Sequence, residues 1–256
     1  MIKYRYLLAF VLLLTGKTLF AQGVVQLWAQ GADQRDWSAG FTFQYLNTSL
    51  KIDKKPDWRA PFYDPQTGDL LTDSLNGIRS PRSNGFGVGF IGRYRLNEHL
   101  EGRITPTLVF IDRLIDYEYK SASGNPLLGN LNGSTILQQQ IQTTMMDIPL
   151  SLKIKSDRMG NFRAYMLGGV KYSMLIGKPK DDSKSSPIDK LIKNSRGFAS
   201  YEAGLGFDFY FEFFKLSPEF KISNSFKNVL VADNTPYSRP IDRMFLNTFM
   251  FSLYFE

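Results

Sequence analysis

From Trp37 onward the chain alternates apolar and polar residues with a period of two, and it does so repeatedly. Trp37, Ala39, Phe41, Phe43 and Tyr45 stand on one face of the first stretch, opposite Ser38, Gly40, Thr42 and Gln44. Side chains in an extended strand point to opposite faces in turn, so this period means a sheet with one apolar and one polar side. Similar stretches are centred on Phe86–Tyr94, Leu100–Phe110, Met146–Ile154, Phe162–Met174, Tyr201–Phe213, Phe214–Ile222 and Phe245–Phe255. One face carries runs of Phe, and the other carries Arg, Lys, Glu and Gly.

The connections alternate too. Asn97-Glu98, residues 157–160 and the Phe213-Phe214 region read as short turns. Residues 48–83, 120–133, 178–196 and 227–243 are long and polar. Short turns at one end and long loops at the other are the pattern of an outer-membrane barrel. The expected fold is therefore all-β: an eight-stranded antiparallel up-and-down transmembrane β-barrel with short periplasmic turns and long extracellular loops. Lipid-facing aromatic girdles would use the 21 Phe and 13 Tyr. Pro106, Pro149 and Pro218 fall inside predicted strands and remove ladder donors, so bulges or bends are expected there. The apolar parity switches between Leu137/Ile141 and Met146/Ile148, which predicts an extra residue near Met145.

The first residues read as an address. Lys3 and Arg5 precede an apolar core from Leu7 to Leu14, and Ala21 stands before Gln22 as the expected cleavage point. The expected organisation is a signal peptide over 1–21, a short periplasmic segment over 22–35 and the barrel over 36–256, with export to the bacterial outer membrane. Removing Lys3, Arg5 and Lys17 with the leader lowers the net charge from +7 to +4. That excess is too small and scattered to indicate nucleic acid.

Composition narrows the chemistry. Mean hydropathy is −0.22, which excludes a bundle of spanning helices. Without cysteine there is no disulfide or thiolate site, and one histidine makes no multi-histidine metal centre. His99 beside the Asn97-Glu98 turn reads as a surface histidine rather than a general base. Gly87-Val88-Gly89-Phe90-Ile91-Gly92 has dinucleotide-fingerprint spacing, yet its glycines recur every second residue and no helix follows. The expectation is a non-enzyme with no cofactor and no identified small-molecule substrate. Arg163, Lys171, Glu202, Asp208 and Glu212 share the polar face and are the candidates for ion pairs filling the lumen.

Several segments resemble a known family. Asp147-Ile148-Pro149-Leu150-Ser151-Leu152-Lys153, Gly168-Gly169-Val170-Lys171-Tyr172, the run Tyr201–Lys221 and the segment Asp233–Ser238 with Ile241-Asp242-Arg243 and Phe249–Glu256 are similar to the PorT/SprT barrels of type IX secretion. That resemblance implies an outer-membrane component required for type IX secretion, and for gliding where present. A filled lumen would make it an accessory or assembly partner of a larger translocon, with outer-membrane lipid and other type IX outer-membrane proteins as partners. The alternative is a PorT-like barrel outside secretion: a small-solute pore, an adhesin or an envelope-stabilising protein.

Overall fold

The computed structural model describes residues 35–65, 67–120, 135–177 and 192–256. The proposed leader, its Ala21/Gln22 junction and most of the segment 22–35 lie outside them. The strands are β1 (Trp37–Lys54), β2 (Phe62–Tyr63), β3 (Leu70–Thr72), β4 (Leu75–Arg79), β5 (Ser83–Arg95), β6 (Leu100–Ile104) and β7 (Thr107–Tyr119). They continue with β8 (Ile136–Lys155), β9 (Phe162–Leu175), β10 (Lys193–Asn194), β11 (Gly197–Tyr210), β12 (Lys215–Ser225), β13 (Leu230–Val231) and β14 (Ile241–Phe255).

The expected eight-stranded fold is corrected here. The fold is all-β, but it has fourteen strands among the described residues. Ten form one antiparallel sheet in the order β1-β14-β12-β11-β9-β8-β6-β5-β7-β4, and β2-β3 and β10-β13 form separate ribbons. β1 is bonded on both edges, to β14 and to β5. The added strands have local causes. Pro106 lacks a donor, so the run expected as one strand divides into β6 and β7. The first long connection contains β2 and β3, and buries Leu75 and Ile78 in β4 against β7.

None of the three prolines shifts the register. β5 meets β6 at Gly92–Ile104 and β7 at Gly89–Thr107 in one continuous alignment. The amide of Phe90 donates to Pro106 O at 3.0 Å, and that of Thr105 to Pro149 O at 3.2 Å, bridging the break. Pro149 and Pro218 sit in unbroken pairings, opposite Lys171 and Leu253. The run Gly85, Gly87, Gly89 lies within β5, where a Cβ on Gly89 would strike Pro106 O; the glycine permits that close approach.

The predicted extra residue near Met145 is also absent. β7 and β8 stay in register from Thr107–Asp147 to Glu118–Ile136. What changes is the chemistry of the two faces. On β7, Leu108 and Phe110 face outward, and further along the same face come Asp112, Asp116 and Glu118. Its inner face passes from Thr107 to Ile111, Ile115, Tyr117 and Tyr119, all buried. On β8 the outer face runs from Ile154, Leu152, Leu150, Ile148 and Met146 to Gln140 and Gln138. Near the turns the wall is apolar outside and polar inside; toward the long loops it is polar outside and apolar inside.

The outward apolar band is what lipid requires. Phe90 is 72% exposed and Leu150 60%, among a continuous field that includes Phe41, Phe43, Phe86, Met166, Leu205, Phe220 and Ile222. A patch of that size is unstable in water. On β1 the band runs from Trp37 to Tyr45, close to the ~9–11 residues of a spanning strand. Trp37 and Tyr94 meet at 4.9 Å at the turn end, and Tyr201 and Phe226 at 5.4 Å at the other. Aromatic pairs mark both borders of the band.

Candidate functional site

The site is the interior, which has two layers. The layer near the turns is a network of buried charges. Lys153 on β8 bonds both carboxylate oxygens of Asp208 on β11, at 2.8 and 2.7 Å, and both residues are 0% exposed. Ser217 on β12 donates to the same carboxylate at 2.6 Å. Arg103 on β6 reaches Glu219 on β12 at 2.8 Å, and Glu219 also accepts from Tyr165 at 2.9 Å and meets Lys221 at 3.2 Å. Arg93 bridges Glu101 at 2.8 Å and Glu256 at 2.9 Å. Lys155 bonds Glu101, and Lys215 meets Glu256 at 3.1 Å. Lys153 lies 3.7 Å from the ring centre of Tyr165, and Arg103 4.4 Å from that of Tyr254.

These partners come from β5, β6, β8, β9, β11, β12 and the end of β14, so the network ties non-adjacent strands together. A buried ion costs several kcal/mol to desolvate, and only good geometry with further hydrogen bonds repays it. Alternation along each strand supplies the inward positions, and the tight turns set the strands level. Asn97 Oδ1 accepts from the amide of His99 at 2.8 Å, Gly160 takes φ 63° in the turn after β8, and Phe211 N donates to Phe214 O at 2.9 Å in the turn after β11.

The layer near the loops is mainly apolar, with the Arg113 guanidinium buried in it 2.9 Å from the Met145 sulfur and 5.9 Å from the ring centre of Phe198. Leu46, Leu50, Ile78, Val109, Ile111, Ile115, Met145, Phe198, Met244, Leu246 and Met250 are buried together with Val229, Leu230, Tyr237 and Ile241 from the last long connection and the start of β14. Tyr117 donates to Tyr237 O at 2.8 Å, pinning that connection over the interior. Outside this layer Glu118 accepts from Asn76 at 3.0 Å and Arg79 at 2.8 Å, and those bonds hold its carboxyl below the usual range.

Of the predicted lumen residues, the structure joins Asp208 to Lys153 and Lys171 to Asp147, the latter at 2.9 Å. Glu202 is buried beside Ser223 and Gly169 in the register. Arg163 is half-buried on β9, aligned with Asp208. Glu212 is corrected: β11 ends at Tyr210, so Glu212 and Phe213 stand exposed in the turn. Sequence reasoning missed Arg93, Glu101, Arg103, Lys153, Lys155, Lys215, Glu219, Lys221 and Glu256. Their signal was present, since each but Glu256, which follows the last residue of β14, occupies an inward position of its strand. His99 is a turn residue whose Nδ1 lies 3.3 Å from Lys155 O.

A wall apolar toward lipid around an ion-paired interior defines an outer-membrane β-barrel protein. The family model described as the outer membrane protein beta-barrel domain matches residues 21–231, and the chain belongs to that family. No curated protein matches it. Among solved structures it is similar to the outer membrane protein OprG from Pseudomonas aeruginosa, at 12% identity over 86% of this chain and 92% of that one, with a TM-score of 0.43. Neisserial surface protein A shows 10% identity over 85% and 97%, with a TM-score of 0.35. The attachment invasion locus protein Ail of Yersinia pestis, solved with the heparin analogue sucrose octasulfate, shows 12% over 86% and 99%, also with a TM-score of 0.35. Likeness at this level says nothing of what the chain binds.

The type IX assignment is corrected by these findings. They return the general outer-membrane barrel family and other outer-membrane proteins, and none of those named carries the PorT/SprT name. Apart from Asp233–Ser238, which lies in the connection between β13 and β14, the segments quoted for the resemblance are mostly strands that any such wall needs: apolar outside, charged or small inside. A role in type IX secretion or gliding, and type IX partner proteins, are set aside. The protein lies in the bacterial outer membrane, in contact with its lipid. Most of its buried interior charges are paired with one another, while among the described residues the Glu202 carboxylate has no hydrogen-bond partner and Arg113 bonds the Met145 sulfur.

Proposed function

We propose that the chain is a non-conducting surface barrel that stabilises the envelope from outside the secretion pathway. The carrying observation is the doubly filled interior, with an ion-paired layer at the turn end and an apolar layer at the loop end. Barrels of this class have short periplasmic turns and long external loops, so the apolar layer and its polar outer wall stand at the cell surface. Residues 1–21 serve as the leader, cleaved between Ala21 and Gln22; residues 22–35 are a short periplasmic segment, and the barrel begins at residue 36.

The test has two arms. Purified protein in planar bilayers is expected to give no stable conductance steps; regular open steps would support the small-solute pore instead. A deletion strain is expected to become sensitive to detergent and to recover with the plasmid-borne gene. Unchanged sensitivity would sink the stabilising role.

A further inference from the structure

The outward faces of β1 and β5 form a continuous strip that passes from apolar to cationic. In register, Phe43 stands beside Val88, Tyr45 beside Phe86 and Asn47 beside Asn84. The first four are exposed apolar residues of the lipid band. At its border the side-chain amide of Asn47 donates to Asn84 Oδ1 at 2.7 Å, an exposed bond. Just beyond stand Lys51 on β1 and Arg82, the residue next to the last aligned pair, Thr48–Ser83; both are exposed.

Neighbouring strands place opposed side chains ~5 Å apart and diagonal ones ~7–8 Å apart, so these two long cations can reach one anionic group between them. The nearest carboxylate along the strand, Asp53, lies 3.6 Å from Arg243. Among the described residues neither Lys51 nor Arg82 has an ion-pair partner. The next strand differs: β7, hydrogen-bonded to β5, presents Asp112, Asp116 and Glu118 beyond the lipid band, with Gln138 and Gln140 on β8 bonded to the two aspartates.

We propose that this strip binds the phosphorylated headgroup of an outer-leaflet glycolipid. Lys51 and Arg82 take the phosphate through charge-assisted hydrogen bonds. Asn47 and Asn84 meet sugar hydroxyls, and the acyl chains lie along Tyr45, Phe86, Phe43 and Val88. The inference deepens the envelope-stabilising reading and rests on the loop end facing outward.

The test uses the full chain in detergent micelles, titrated with bisphosphorylated lipid A and followed by native mass spectrometry. The wild type is expected to hold one lipid A molecule, and K51A/R82A to bind about 100-fold more weakly, roughly tenfold for each cation removed. Dephosphorylated lipid A is expected to bind no better to the wild type than to the double variant. The control R196A/K227A removes two exposed cations after β9 and β12 and is expected to bind like the wild type. Undiminished binding by K51A/R82A, an equal loss in the control, or wild-type binding of dephosphorylated lipid A as tight as that of the bisphosphorylated form would each overturn the proposal. Heat-modifiable gel migration shows that every variant is folded. Binding in micelles needs no orientation, so orientation is read separately. The chain has no cysteine, and S49C on whole cells takes an impermeant maleimide only if this end is outside. Failure to label would refute the surface reading and leave the micelle result standing.

Discussion

Arg103 and Glu219 meet at 2.8 Å although β8, β9 and β11 separate their strands in the sheet. The bond spans the interior from wall to wall, and Glu219 also serves Lys221 and Tyr165. Removing the carboxylate charge leaves the buried Arg103 and Lys221 without this counter-charge. E219Q is expected to lose about 3–5 kcal/mol of stability. Urea unfolding in vesicles, followed by tryptophan fluorescence, measures the shift; an unchanged midpoint would show the pair to be idle.

The inversion of the two faces predicts opposite tolerances on a single sheet. L150R places a cation against mid-bilayer lipid and should cost about 2–4 kcal/mol. D116R lies beyond the band on the neighbouring strand, and should change stability by no more than about 0.5 kcal/mol. The same unfolding assay compares them, and equal costs would place Asp116 in lipid.

Gly89 and Gly102 make a matched pair. A methyl group on Gly89 would meet Pro106 O and the Thr107 side chain, whereas Gly102 has nothing within 4 Å of a built Cβ. G89A is expected to destabilise by about 1–3 kcal/mol through overpacking. G102A should be close to neutral. The order of their melting temperatures in micelles decides the point.

The apolar layer should loosen before the wall does. I115A opens a cavity in a fully buried position and should cost about 2–5 kcal/mol. Y117F loses the bond to Tyr237 O, worth about 0.5–1.5 kcal/mol. Limited proteolysis is expected to cut the connection between β12 and β14 faster in both variants while the membrane-embedded strands stay protected.

Much of the wall was legible because period-two alternation is local. Trp37–Tyr45 and Phe162–Met174 announce both their conformation and their outward face. The rest depended on which medium each face meets, which no local pattern carries. Leu137 and Ile141 looked like lipid-facing residues displaced by a bulge, yet they pack against the apolar interior while Gln138 and Gln140 face outward. Glu212 looked inward because alternation ran on past Tyr210, where the chain turns. Lys153, Arg103 and Glu219 were each visible as inward polar residues. Their pairing needed the curvature of the sheet, which brings β6 and β12 face to face. The likeness to one secretion family arose from the same strand grammar, shared by barrels at large.

The polar outer wall beyond the lipid band also bears on biogenesis. Asp112, Asp116, Glu118, Gln138 and Gln140 end on the far side of a hydrocarbon layer they cannot rest in. Each charge held at mid-bilayer would cost up to a few kcal/mol. Sliding the finished hairpin of β7 and β8 through lipid would place several there at once. Its route into the membrane therefore needs a machine that opens or thins the bilayer, and the height of this outer wall sets how far that opening must extend.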